Sequence, residues 1–465
     1  MTRVGLAQAL QPALLRLEEI RHAQWKGQQA GLSVAVISDQ DLLWAKGLGY
    51  ADYARQIPAT PQTIYRIASI TKLFTATMLM QLRDAGQVQL DDPLTRYLPP
   101  SFTIISPFPD AKAPTLRQVV SHTAGLPREA PFDYEEAVPI PSIEVILDEI
   151  REIELLVPPM TEWRYSNLGV ALLGHALERI AHQPYKHYVV EKILRPLGMS
   201  LSGFDITAEM QPYVATAYAP SREDGHLEVV PYAYQDMGGL VPVGGMYSSA
   251  EELARFISLQ FRDGPAEGSQ ILRGSTLREM HAPVFILPSW KSAVGISWGL
   301  LPLGDHTVLY HTGGAPGFKA FVVVVPSIKL GVALLANTEQ LPDGFYSQVV
   351  ERGLEVLVQA IEGLQAQQVP LHGQGVPPEW YAYQGNYYRS SKYYQEKILK
   401  TILIADGKLL WRDPDGRIQG EFVPVQAERF RMKGGAFDQE LAIFTKNATG
   451  KIVQVKMGNR IFLRE

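Results

Sequence analysis

The sequence predicts an α/β domain of antiparallel strands and helices, followed by a small all-β barrel or sandwich. β-rich runs occur near both ends of the first 366 residues, and helical patterns lie between them. A segment rich in proline and glycine then breaks the pattern, and short alternating strands follow it. We therefore expect domains at 1–366 and 379–465, joined by a linker at 367–378.

The first predicted elements are a β-hairpin and a helix. The β-rich runs 32–38 and 41–51 are joined by Asp-Gln-Asp, which is typical of a hairpin connection. Residues 70–85 carry apolar side chains at helical spacing, and Gly86 follows where a C′ glycine ends a helix. The chain thus begins in a sheet and continues in a helix.

Later segments return to the sheet after a helical middle region. Helical patterns recur near 142–153 and 168–182. Three β-rich runs follow at 307–314, 318–327 and 330–338, and their short connections indicate consecutive antiparallel strands. We expect these strands and the first hairpin to share one sheet.

The end of the first domain is predicted to be an amphipathic helix at 344–366. The next stretch contains three prolines and two glycines, and tyrosines cluster just beyond it. Asp-Gly and Gly-Asn turns separate the alternating segments after residue 379. This pattern favours a small closed or sandwiched β domain.

Composition excludes several classes of function. The 465 residues carry a net charge of −5, with a pI of about 6.1, which argues against nucleic acid as a partner. There is no cysteine, so disulfides, thiolate zinc sites and cysteine nucleophiles are excluded. We expect no cofactor and no metal site, since the histidines at 175, 182 and 187 lack a ligand spacing on one helix face.

The N-terminal 27 residues predict an amphipathic helix rather than a secretory signal. They include Glu18 and Glu19 and lack an uninterrupted apolar core with a small-residue cleavage site. No later run has the length of about 18 apolar residues that a membrane span needs. We therefore expect a soluble, cytoplasmic protein without a membrane span.

The segment R-I-A-S-I-T-K places Ser69 three positions before Lys72, at the start of the first predicted helix. Serine needs a base within hydrogen-bond reach to act as a nucleophile, and helix positions three apart share one face. A partly buried lysine would favour the neutral form that a base requires. The alternative is a helix-capping serine followed by a surface lysine, which S-x-x-K alone does not exclude.

Two further stretches strengthen the nucleophile interpretation. Y-S-N contains Tyr165 and Asn167, and H-T-G-G contains His311, Gly313 and Gly314 at the end of a predicted strand. Each alone has an ordinary structural explanation, such as a loop tyrosine, a helix cap, a core histidine or a glycine turn. The ordered combination with S-x-x-K is hard to attribute to chance.

The combined motifs resemble those of the class C β-lactamase-related serine hydrolases, which include esterases and D-peptidases. L-R-Q-V-V-S-H-T-A-G-L-P, R-P-L-G-M and V-P-V-G-G-M-Y-S-S-A-E-E-L-A-R-F are also similar to segments of that family. The resemblance covers about residues 15–365. It implies a β-lactamase-like α/β (α+β) fold, with an antiparallel sheet flanked by helices and an all-helical region. The C-terminal segment resembles the lipocalin-like appendage of some members.

The resemblance implies a role for each motif residue. Ser69 would be the acylated nucleophile, and Lys72 would hold it and help to deprotonate it. Tyr165 would relay protons as general base for the attack and acid for the leaving group, with a pKa lowered by neighbouring cations such as Lys72. Asn167 would bind the substrate's acyl-side amide and Lys72. The backbone N–H groups of Ser69 and Gly314 would form an oxyanion hole.

The third motif also separates this chain from the β-lactamases. Gly313 and Gly314 would let the backbone approach the substrate closely. His311 stands where β-lactamases have a lysine, and a neutral histidine is a weaker anchor for a carboxylate. Efficient β-lactam hydrolysis is therefore not the first expectation.

We expect a peptidase acting on small peptides, D-amino-acid peptides included. The alternatives are a carboxylesterase or weak β-lactamase of the same family, a catalytically silent scaffold, and a C-terminal barrel that carries a small ligand. The partner is a small peptide or ester, and a homo-oligomer is left open. Ser121 and His122 are interpreted as structural, since adjacent positions on a helix or strand do not face each other.

Overall fold

The structure, a computed structural model, forms two compact units, Met1–Ile361 and Glu362–Glu465. It describes residues 10–16, 18–19, 30–129, 140–221, 227–231, 233–341, 345, 352–368, 377–390, 397–405, 408–414, 417–434, 437–457 and 460–465. The linker at 367–378 stays a prediction, because residues 369–376 lie outside the described ones.

An eight-stranded antiparallel sheet forms the centre of the first unit. Its strands are β1 Leu32–Ser38, β2 Asp41–Leu48, β3 Phe285–Ile286, β4 Ala293–Val294, β5 Gly299–Leu303, β6 His306–Ala315, β7 Phe318–Val325 and β8 Leu330–Ala336. Their order in the sheet is β3-β4-β5-β6-β7-β8-β1-β2, so the first hairpin joins the sheet beside its last strand. This confirms one sheet built from both ends of the domain.

Smaller strand pairs lie outside the central sheet. One of them corrects the helix predicted at 142–153, which ends at Ile150. Residues Glu152–Glu154 leave that helix and pair in parallel with Thr103–Ile105. The other pairs are Tyr50–Asp52 with Ile57–Pro58, Ile64–Arg66 with Tyr247–Ser249, and Tyr218–Pro220 with Leu227–Val229.

Helices occupy much of the chain between β2 and β3, and one more follows β8. They are α1 Thr71–Asp84, α2 Leu116–Val120, α3 Ile143–Ile150, α4 Asn167–Ala181, α5 Ala250–Leu259, α6 Gly274–His281 and α7 Arg352–Gln368. Other short helical segments are Ala68–Ile70, Leu94–Tyr97, Tyr185–Val189, Val190–Leu194, Arg195–Leu197, Gln211–Tyr213, Gly238–Leu240, Val241–Gly244 and Pro326–Ile328, while Pro378–Tyr383 belongs to the second unit. Of the helix predicted at 344–366, residues 344 and 346–351 lie outside the described part.

Helix α1 lies in the buried core of the first unit. Residues 71–80 are all buried, and the helix packs against α4 and the Val241–Gly244 turn. A helix enclosed on every side tolerates a polar residue only if that residue has partners. Helix α5 covers the sheet by packing on β1 and β8. This arrangement fixes the start of α1 beside the sheet.

The second unit is a closed eight-stranded barrel, as the sequence predicts. Its strands are β9 Gly385–Ser390, β10 Lys397–Ala405, β11 Lys408–Arg412, β12 Ile418–Gln426, β13 Arg429–Lys433, β14 Leu441–Lys446, β15 Ile452–Met457 and β16 Arg460–Arg464. Pairing of Tyr387 with Arg464 closes the barrel. Trp411 packs edge-to-face on Phe422 and Phe462 in the interior.

The barrel interior bears on the small-ligand carrier alternative. Buried aromatic rings from several strands form its core. A cavity of about 210 Å³ is lined by Arg389, Arg460, Trp411 and Phe462 among others. Ligand pockets usually have volumes of about 300–1,000 Å³. The carrier alternative therefore gains no support from this cavity.

Within the described residues, no helix combines the length and the apolar composition required to cross a membrane.

Candidate active site

Ser69 lies on a short 3₁₀ turn, Ala68–Ile70, directly before α1. Ala68 has φ +47°, a backbone conformation that residues with a side chain rarely adopt. Thr71 Oγ1 donates a hydrogen bond of 2.7 Å to Ala68 O and so supports the turn. The N-cap of α1 is Ile70, which makes no side-chain capping bond. Ser69 is therefore not the helix-capping serine of the alternative interpretation.

Lys72 is a buried base candidate, one helical turn after Ser69. Its Nζ donates hydrogen bonds to Ser69 Oγ at 2.8 Å and to Val243 O at 3.0 Å. The side chain is 1% exposed, so the surface-lysine alternative is wrong. Burial lowers the pKa of Lys72 well below its usual value; the Glu129 carboxylate opposes this shift and the Arg128 guanidinium adds to it. A neutral amine at this distance can accept the Ser69 proton.

Tyr165 is hydrogen-bonded to Ser69 and lies close to Lys72. Its ring centroid lies 5.0 Å from Lys72 Nζ and 5.1 Å from the Arg128 guanidinium. Burial raises the pKa of Tyr165 to about 12, against smaller lowering effects of the hydrogen bond with Ser69 and of Arg128. The expectation that neighbouring cations lower this pKa is wrong, because desolvation of the phenolate outweighs them. Tyr165 is therefore a protonated phenol at neutral pH.

Asn167 is held by an acidic neighbour rather than by Lys72. It is the first residue of α4, whose N-cap Ser166 accepts a hydrogen bond of 2.8 Å from Gly169 N. Asn167 Nδ2 donates to Glu129 Oε1 at 2.6 Å, while its Oδ1 is buried and has no hydrogen-bond partner among the described residues. The prediction of a hydrogen bond between Asn167 and Lys72 is therefore wrong. The free amide oxygen leaves an acceptor for a donor from outside the protein.

His311 is neutral and buried on β6. Its Nδ1 donates a hydrogen bond of 2.9 Å to Thr312 O, which places the lone pair of the neutral ring on Nε2. Burial lowers the pKa of His311 to about 3, and the nearby Lys72 adds to this shift. The site therefore lacks a fixed cation at this position, as the replacement of lysine by histidine predicts.

Gly313 and Gly314 bring β6 against the nucleophile turn. A Cβ atom at Gly313 would lie 2.3 Å from Ile67 O, so only glycine permits this approach. Gly314 lies on the wall of the same cleft as Ser69. The pairing of β5 with β6 ends at Gly299 and Tyr310, whereas the other edge of β6 stays paired with β7 through Ala315. Among the described residues, the β6 edge beyond Tyr310 is thus unpaired.

A cleft of about 580 Å³ brings most of the predicted site residues together. It is lined by Ser69, Tyr165, Asn167, His311 and Gly314, among others. Lys72 contacts Ser69 from within the core, and Gly313 faces the turn, so neither belongs to the cleft wall. A second cavity of about 600 Å³ includes Arg66, Tyr234 and Tyr247 but none of the motif residues. The first cleft is therefore the candidate active site.

The cleft also contains side chains that sequence reasoning missed. Ser121 and His122 both line it, although adjacent positions on a regular helix or strand do not face each other. Trp163 and Arg128 line it as well. Trp163 is two residues from Tyr165, and extended residues two apart share a face, so this contact had a sequence signal. Arg128 had none.

Comparison with known proteins identifies the family of the chain. A family model described as Beta-lactamase matches residues 17–350. The chain is 31% identical over 366 residues to Beta-lactamase-like protein 2 of Dictyostelium discoideum, a match that covers 76% of this chain and 64% of that protein. The chain thus spans less than two thirds of the length of that relative.

Solved structures share the fold. The octameric penicillin-binding protein homologue from Pyrococcus abyssi matches with a TM-score of 0.63 and 22% identity, over 97% of this chain and 100% of that one. The β-lactamase/D-alanine carboxypeptidase from Yersinia pestis matches with a TM-score of 0.61 and 27% identity, over 75% and 99%. The family model and the fold agree with the motifs, and the chain therefore belongs to the β-lactamase-like serine hydrolase family.

Proposed function

We propose that the protein is a serine hydrolase that acts on small peptides through an acyl intermediate on Ser69. The observation that carries this proposal is the 2.8 Å contact between Ser69 Oγ and the buried Nζ of Lys72. A lysine that is neutral through burial is a competent general base at neutral pH. The Tyr165 phenol, which is hydrogen-bonded to Ser69, completes the group.

The geometry supports a balanced acylation step. Lys72 Nζ accepts the Ser69 proton while Oγ attacks the substrate carbonyl carbon, and the oxyanion forms beside the N–H groups of Ser69 and Gly314. The Tyr165 O–H then donates its proton to the leaving nitrogen, the carbon–nitrogen bond breaks, and the Lys72 ammonium returns a proton to Tyr165. Removing one oxyanion donor typically costs about 2.7–4 kcal/mol of transition-state stabilisation.

The second half-reaction releases the acyl group with water. Lys72, neutral again, accepts a proton from a water molecule that attacks the acyl carbon. The tetrahedral intermediate expels Ser69 Oγ, which takes the proton back from Lys72. No cofactor is needed in either step, because Lys72 stores and returns the proton in both half-reactions and Tyr165 takes part in the first.

Two observations favour a peptide as the substrate. The unpaired edge of β6 beyond Tyr310 borders the cleft and can add an extended peptide by main-chain hydrogen bonds. The Yersinia pestis relative is described as a D-alanine carboxypeptidase as well as a β-lactamase. An ester differs only in its leaving group and remains the second candidate. Neutral His311 disfavours β-lactam carboxylate binding.

Active-site labelling tests the proposed chemistry. We expect a fluorophosphonate to add once to the purified protein, as read by intact mass, and we expect Ser69→Ala to abolish the adduct. Ser269→Ala, which alters an exposed serine outside the cleft, is the matched control and should label like the wild type. A folded wild type without an adduct would support the scaffold alternative instead.

A substrate panel then tests the peptidase preference. D- and L-aminoacyl peptides, simple esters and nitrocefin should be turned over in an order that places a peptide first and nitrocefin last. Turnover of nitrocefin faster than every peptide and ester would reverse the expectation drawn from His311.

A further inference from the structure

His122 occupies an unusual position at the end of α2. It is 6% exposed and has φ +60°, a backbone conformation that favours glycine. Its carbonyl oxygen accepts a hydrogen bond of 2.7 Å from Arg164 N. A non-glycine residue in this region is strained unless its surroundings hold it there, and such residues cluster at functional sites.

The His122 side chain makes two further contacts with the same segment. Its Nδ1 accepts a hydrogen bond of 3.2 Å from Ser166 N. Its ring lies on the Tyr165 ring, with centroids 4.2 Å apart and an angle of 32° between the planes. One residue thus contacts Arg164, Tyr165 and Ser166 in turn. The three contacts fix both the backbone on each side of Tyr165 and one face of its ring.

We propose that His122 is a positioning residue that holds the Tyr165 hydroxyl at Ser69. This inference rests on the proposed function, in which Tyr165 passes its proton to the leaving group. A phenol can turn about two side-chain torsions, and a proton donor that is misplaced by about 1 Å loses much of its effect. The stacked ring and the anchored backbone remove that freedom before substrate binds.

A proton-transfer role for His122 itself does not fit its surroundings. Because Nδ1 accepts the Ser166 N–H, the proton of the neutral ring is on Nε2, which is buried and unpartnered among the described residues. Lys72 from α1, Arg128 from the following loop and His311 from β6 all face the ring. Burial lowers the pKa of His122 well below its usual value, and these three groups lower it further. The imidazole therefore stays neutral at physiological pH.

His122→Asn separates the positioning role from a purely structural one. Asparagine tolerates the left-handed backbone and offers an amide oxygen to Ser166 N–H, but it has no ring to stack on Tyr165. We expect kcat for peptide hydrolysis to fall about tenfold, with KM nearly unchanged and a pH profile of unchanged shape. Fluorophosphonate labelling should stay near the wild-type rate, because fluoride leaves without a proton from Tyr165. A kcat equal to that of the wild type, or a lost limb of the pH profile, would overturn the proposal.

A double-mutant cycle shows whether His122 acts through Tyr165. In a Tyr165→Phe background, His122→Asn should have almost no further effect, because the hydroxyl to be positioned is already absent. Equal losses in both backgrounds would refute the inference. The same cycle can be run with His122→Phe, which keeps a ring but removes the acceptor for Ser166 N–H. Its result does not depend on whether His122→Asn folds.

The outcome for the wild type distinguishes this inference from the proposed function. A wild type labelled at Ser69, together with an unimpaired His122→Asn variant, refutes the positioning role alone. A folded wild type that is not labelled refutes the proposed function and the inference with it.

Discussion

Replacing Gly313 with alanine should misplace the nucleophile without touching any reactive side chain. The new Cβ would lie 2.3 Å from Ile67 O, a backbone atom that cannot rotate away. Ile67 O also accepts the hydrogen bond of 3.1 Å from Ile70 N that closes the turn carrying Ser69. Any movement that relieves the clash at Ile67 therefore moves the serine as well.

The size of the effect follows from the size of the clash. Ordinary contact begins at 3.4 Å, so β6 and the turn must separate by about 1.1 Å in Gly313→Ala. Displacements of about 1 Å in a catalytic group can cost on the order of 100-fold in rate. We expect phosphonylation of Ser69 by a fluorophosphonate to slow by about that factor, while Lys72 and Tyr165 keep their identities and their burial.

The assay is the rate of adduct formation followed by intact mass, with thermal unfolding measured in parallel. Gly203→Ala is the matched control, because its Cβ would lie 4.0 Å from the nearest atom, Asp205 O, and Gly203 is not part of the cleft. Phosphonylation of a folded Gly313→Ala variant within about threefold of the wild-type rate would refute the argument that this close approach sets the position of Ser69.

Two stability predictions follow from buried groups. Lys72→Met should raise the melting temperature near pH 7, and this gain should shrink towards pH 10. Burial lowers the pKa of Lys72 in the folded protein, so the unfolded chain binds more protons in this pH range. The stability of the wild type therefore rises with pH and approaches that of the variant. A gain that is constant between those pH values would contradict this. Trp411→Ala should destabilise the barrel by about 3–5 kcal/mol, because Trp411 is buried among aromatic rings. Calorimetry should show a lowered melting transition, and a transition equal to that of the wild type would contradict this.

The sequence predicts best those contacts that local geometry determines. The Ser69–Lys72 contact follows from helix spacing, because residues three apart meet on one face whatever surrounds the helix. The hairpin of β1 and β2 and the antiparallel run from β6 to β8 follow from strand patterns and short connections. The helix predicted at 142–153 was correct only as far as Ile150, because pairing with Thr103–Ile105 is a tertiary contact.

Properties of the site that depend on burial could not be predicted from residue types. The direction of the Tyr165 pKa shift is set by desolvation, which outweighs the nearby cations, and neither quantity is visible in a motif. His122 was assigned a structural role from the regular geometry of helices and strands. Its left-handed backbone breaks that regularity and lets the ring reach Tyr165, 43 positions later in the chain. A single-residue conformation of this kind has no periodic signal.

Under the proposed mechanism, the resting site contains neutral groups where charges will later form. Burial holds Lys72 as an amine and Tyr165 as a phenol, and it keeps the His311 imidazole uncharged. Proton transfer from Ser69 to Lys72 then creates an ammonium close to the new oxyanion, inside a core where opposite charges attract more strongly than in water. This attraction is absent from the ground state and present in the transition state, which is the condition for catalysis rather than tight substrate binding. A fixed cation at position 311 would weaken this effect, because it would attract an anion before the reaction as well as during it.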